Sequence, residues 1–66
     1  MVNLKLIEVL NERGMKQKDL GYMIKSKGGK MDSPLISRII KGKYPPNARH
    51  RYWISRILDI PEQELF

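Results

Sequence analysis

Cysteine is absent from this chain and histidine occurs once, at His50. Those two facts exclude a disulfide framework and leave no partner set for a zinc tetrahedron, so no metal, cofactor or small-molecule ligand is expected. Hydrophobic runs are short: none approaches the ~20 apolar residues that cross a bilayer, and the opening MVNLKLIEVL is too short and, with Glu8, too acidic for a secretion signal. The expectation is a soluble, intracellular protein with no membrane attachment. Catalytic groupings are missing as well. No nucleophile stands with a base, no carboxylates pair, and Gly28-Gly29-Lys30 lacks the strand and the spacing of a phosphate-cradling P-loop. Enzyme activity is therefore not expected. Negative charge is the scarce sign: Asp and Glu number 7 against 13 Lys and Arg, a formal net charge of +6.

What is present fits one small domain, residues 1–66. A chain of this length buries only about 60% of the surface its unfolded form exposes, so a partner subunit is the expected supplement to its core. The positive charge is concentrated. Between positions 25 and 56, Lys25, Lys27, Lys30, Arg38, Lys41, Lys43, Arg49, Arg51 and Arg56 stand against Asp32 alone, whereas Asp59, Glu62 and Glu64 make the tail acidic. One side of such a molecule attracts phosphate and the other repels it. The plain alternative is that these lysines and arginines only solvate a small basic surface.

Apolar residues recur at helical spacing throughout. Leu4, Ile7 and Leu10 follow Asn3, a good N-cap, and run to Arg13-Gly14, a basic last turn and a terminating glycine. A second helix opens at Gln17 with Leu20, Met23 and Ile24 on its face, and Gly28-Gly29 either ends it or forms the loop tip. Asp32 or Ser33 caps a third helix, with Pro34 in its first turn and Leu35, Ile36, Ile39 and Ile40 inward; Gly42 and Pro45-Pro46 stop it. Asn47 caps a fourth helix with Ala48, Tyr52, Ile54, Ser55 and Leu58 inward. Ile60-Pro61 leads into a short fifth. Five helices and no strand candidate predict an all-α fold.

GMKQKDLGYMI, LISRIIKGK and LDIPEQELF, in that order, resemble the Cro and phage-repressor type of helix-turn-helix domain. That pattern has a glutamine opening the second helix, a leucine followed by a small residue (here Gly21), a recognition helix ending in glycine and a basic residue, and a closing Leu-Phe. The resemblance covers nearly the whole chain and implies a compact five-helix domain. One departure is the connection within KSKGGKMDS, about five residues longer than the tight turn usual between the motif helices.

The resemblance implies a double-stranded operator as partner, bound by a cytoplasmic homodimer in a bacterial or phage-infected cell. It carries Gln17 to a phosphate contact and Ser33, Pro34, Ser37 and Arg38 to the base-reading face of the third helix, and Lys43 resembles the family's backbone-binding lysine. Helical spacing independently places Ser33, Ser37, Arg38 and Lys41 opposite the apolar side. Arg38 can grip guanine O6 and N7 with two hydrogen bonds, worth roughly 1–3 kcal/mol of discrimination; an ion pair with Asp32 or a phosphate contact are the alternatives. Lys41, Tyr44, Asn47 and Arg49 are further phosphate candidates, the last three beside a helix N-terminus.

Two features stand apart. Lys25, Lys27 and Lys30 surround the Gly28-Gly29 pair, and such a loop either rides over the duplex backbone or enters a minor groove, ordering when DNA arrives, or is a tolerated surface insertion. Trp53 and Ile57 lie four residues apart on the face of the fourth helix that should be wet, which reads as a dimer interface with Leu65 and Phe66; the alternative is that Leu65 and Phe66 fold back over the pair within one subunit. The functional expectation is a Cro-like transcriptional repressor, since 66 residues leave no ligand or activation domain. The contrasting expectation is a protein-interaction module, an antitoxin or phage-encoded inhibitor holding an acidic protein on the same basic face, with RNA binding as a third.

Overall fold

A computed structural model describes residues 2–66. Five helices follow one another: α1 (Leu4–Glu12), α2 (Gln17–Ser26), α3 (Ser33–Ile40), α4 (Ala48–Leu58) and α5 (Glu62–Leu65). No strand occurs among the described residues. The all-α, five-helix expectation holds. No helix among these is long and apolar enough to cross a membrane.

Three of the helices, α1, α3 and α4, start where a side chain satisfies a free amide of the first turn. Asn3 Oδ1 accepts from the Leu6 N–H at 3.0 Å, Asp32 Oδ1 from Leu35 at 3.0 Å, and Asn47 Oδ1 from His50 at 2.9 Å. Before α2 the cap position is Lys16; there Asp19 reaches back to accept from the Lys16 N–H at 3.0 Å. The helix ends are alike. Gly14, Gly28 and Gly42 take left-handed backbone angles, and the N–H after each returns to a carbonyl in the last turn: Met15 to Leu10, Gly29 to Ile24, Lys43 to Arg38. At the end of α4 the same place is held by Asp59, with φ 56°, followed by the Ile60 N–H bonding Ser55.

The principal contacts close a ring: α1 packs on α3, α3 on α2, α2 on α4, α4 on α5 and α5 on α1. Inside it Leu6, Val9, Leu10, Leu20, Ile24, Met31, Ile36, Ile39, Ile40, Ile54, Leu58 and Leu65 form one buried cluster. The radius of gyration is 10.4 Å, close to the ~11 Å of a compact chain this long. Asn3 ties the ring shut, donating its N–H to the Ile40 carbonyl at 2.7 Å and its side-chain amide to the Leu65 carbonyl at 2.8 Å.

Two expectations change. The connection between α2 and α3 is residues 27–32, because α2 runs through Lys25 and Ser26 and absorbs part of the insertion into its last turn. On α4 only Ile54 and Leu58 of the expected inward set are buried; Ala48 and Tyr52 are exposed, while Trp53 and Ile57 are half-buried against the core. The reason is that α4 is flanked by α2 and α5 and also by the 27–32 connection, so its contact strip is wider than an isolated amphipathic reading allows.

Candidate nucleic-acid interface

The α3 surface follows from its helical repeat of about 100° per residue. Ile36, Ile39 and Ile40 point into the core, so Pro34, Arg38 and Lys41 lie farthest from it and are exposed, while Ser33 and Ser37 fall on one shoulder and are half-buried. Of the four expected base-reading residues the structure thus puts Pro34 and Arg38 on the crest. Lys41 shares that crest; Ser33 and Ser37 stand beside it. Arg38 has no salt-bridge partner among the described residues, and the Asp32 carboxylate caps α3 rather than pairing with it.

Gly21 determines how α3 is presented. It is buried where α2 crosses the start of α3, and a Cβ there would lie 3.4 Å from both the Ser33 amide nitrogen and Ile36 Cδ1. The crossing leaves room for a Cβ at the edge of ordinary contact and for nothing larger. Gln17, the first residue of α2, and Ser33, the first of α3, share the wall of one open cleft with Lys16 and Lys18. Both helix N-termini therefore open near the same basic rim, where amide groups and lysines favour an anion.

At the far end of α3, Lys43 is exposed and its backbone N–H is bonded to Arg38, which fixes where its side chain leaves the fold. Tyr44 lies against His50 with ring centroids 5.9 Å apart and the planes tilted by 52°. Asn47 spends its oxygen on the His50 N–H and keeps its amide donors, and Arg49 is exposed beside it. His50 is the member that sequence reasoning missed. Its Nδ1 accepts from the Asn47 N–H at 3.3 Å, completing a capping box in the place usually held by Glu or Gln. Burial, and secondarily the Arg49 charge, hold its pKa below the ordinary 6.5. The Asn-x-x-His spacing was the available signal. Two of the basic residues are engaged internally: Arg51 donates to the Pro46 carbonyl at 2.7 Å and pairs with Glu62 at 3.4 Å, and Arg56 donates to the Tyr52 hydroxyl at 2.7 Å.

The lysines at the end of α2 and in the connection stand on ordered backbone. Lys25, Lys27 and Lys30 are exposed, but the backbone bearing them is packed: Gly29 is buried against Ile24 with the Trp53 ring 3.0 Å from its ideal Cβ position, and Met31 is only 1% exposed. This is a docked segment rather than a floppy tip. The same contact bears on the four residues expected at an interface. Trp53 lies over Gly29 and Ile57 packs on the core, both half-buried, and Leu65 is 2% exposed within the core; of the four, Phe66 is the most open, at 39%. Val2 and Leu4 are also exposed and flank Asn3, whose amide holds the Leu65 carbonyl beside Phe66.

Compared with known protein families, with curated proteins and with solved structures, the chain matches none of them.

Proposed function

We propose that this protein is a small DNA-binding transcriptional regulator of the Cro and phage-repressor helix-turn-helix type, occupying an operator as a homodimer and repressing by occlusion. The observation that carries the reading is the α2–α3 pair itself. Its crossing at Gly21 is tight, and α3 offers an unpaired crest of Pro34, Arg38 and Lys41 on a strongly basic molecule. In this reading α3 enters the major groove and Arg38 takes a guanine edge. Lys41 and Lys43, together with Gln17 and the Tyr44–Asn47–Arg49 cluster, hold phosphates on either side and set the register.

The dimer surface belongs to Phe66 with Val2 and Leu4, exposed apolar residues gathered around Asn3. Two subunits of 28 × 24 × 22 Å side by side are of the right size to put their third helices in successive major grooves, about 34–36 Å apart. Selection of bound sequences from random duplexes tests the whole reading. A palindrome with guanine at a fixed half-site position is expected, and recovery of sequences without any shared motif overturns it.

A further inference from the structure

We infer that Lys25, Lys27 and Lys30 form a preorganised ridge that grips the DNA backbone flanking the base pairs under α3, held in position by docking of Gly29 beneath Trp53. The inference rests on the proposed DNA-binding reading and adds a contact surface that the helix pair alone does not supply.

Position comes first. Lys30 precedes Ser33, the first residue of α3, by three residues, a path of at most about 10 Å in extended chain. A duplex that receives the N-terminus of α3 therefore brings its neighbouring phosphates within reach of the ridge. Lys25 extends the line back onto the last turn of α2.

Rigidity comes second. The Gly28 and Gly29 amides return to the Lys25 and Ile24 carbonyls at 3.1 and 2.9 Å. Gly29 then fills a slot between Ile24 and the Trp53 ring that admits no side chain, and Met31 inserts into the core two residues later. The entropic cost of fixing this backbone falls on folding rather than on binding. Trp53 thus acts as a positioning residue for a surface it does not itself present.

Charge comes third. The three lysines are exposed and without salt-bridge partners among the described residues, and the one carboxylate nearby in sequence, Asp32, is occupied with the Leu35 N–H. What fits is a polyanion already positioned by α3, which is duplex DNA.

The test is a salt titration of binding to a mixed-sequence duplex of about 30 base pairs, roughly three turns. Each phosphate contact contributes about 0.9 to the slope of log K against log salt, so Lys27→Ser with Lys30→Ser is expected to lower the slope by about 1.8 and, relative to 1 M salt, affinity roughly sixtyfold at 0.1 M. Both positions are exposed, so circular dichroism should not change. Gly29→Ala keeps every lysine but cannot keep the slot. If it remains folded it should lose slope as well, which a ridge acting by charge alone would not do. The double lysine variant with the wild-type slope on duplex overturns the ridge while leaving the proposed function standing. A wild-type protein that does not bind duplex overturns both. Tighter binding to single-stranded RNA, with the slope loss confined to RNA, overturns the assignment to DNA.

Discussion

Gly21→Ala should make the protein more stable, and Gly21→Val should make it markedly less so. Gly21 lies within α2, where exchanging glycine for alanine is worth about 0.8–1.0 kcal/mol in helix propensity, largely through the unfolded chain's lost freedom. A buried methyl adds up to about 0.8 kcal/mol. Against this stands the fit. The new Cβ would meet Ser33 N and Ile36 Cδ1 at 3.4 Å and the Asp32 carbonyl carbon at 3.5 Å, at the near edge of ordinary contact, so a few tenths of a kcal/mol are returned in adjustment. The expected net gain is about 1 kcal/mol, or roughly 4–8 °C in Tm for a domain of this size. Valine places two further carbons against the α3 backbone, which cannot rotate away as a side chain would. Overpacking of that kind costs about 1–3 kcal/mol. Urea unfolding followed by circular dichroism, with equal m-values, measures both. A destabilised alanine variant, or a valine variant equal to wild type, refutes the spacing between α2 and α3 from which the presentation of α3 was argued.

Arg38→Ala should weaken binding to the selected operator by roughly 1–3 kcal/mol and relax preference at one guanine per half-site, whereas Lys43→Ala should weaken every duplex alike and lower the salt slope by about one contact; competition against random DNA separates the two. Asp59→Gly should stabilise by about 0.5–1 kcal/mol in thermal melts, because Asp59 holds φ 56° and its carboxylate sits at the negative end of α4, whereas Asp59→Ala should destabilise. His50 should make stability fall on acidification. Its folded pKa lies below 6.5, so its share of stability is complete above that value and is lost as pH drops through the folded pKa, when Nδ1 can no longer accept from Asn47. Denaturation between pH 8 and 5 should show this loss for wild type and a smaller one for His50→Gln; parallel curves would remove His50 from the cap.

The sequence alone determined the local order of this protein. Asn3, Asp32, Pro34 and Asn47 start helices and Gly14, Gly28 and Gly42 end them through interactions reaching only a few residues along the chain, so five helices and their limits were legible with little error. The same holds for the buried side of α3, where Ile36, Ile39 and Ile40 leave one orientation for Arg38 and Lys41. Tertiary structure decided what required two distant segments to meet. Trp53 looked exposed because α4 by itself has a wet side; only the fold brings Gly29 up to it and half-buries the ring. Leu65 likewise is buried in the core where α5 closes the ring against α1, and Asn3, read as a helix cap, also holds the Ile40 and Leu65 carbonyls. Which of the basic residues stay free was settled in the same way, since Arg51 and Arg56 are spent on Pro46, Glu62 and Tyr52. Periodicity reports which side of a helix is apolar, but how wide a strip is covered depends on every neighbour that packs there, and those neighbours are chosen by the whole chain at once.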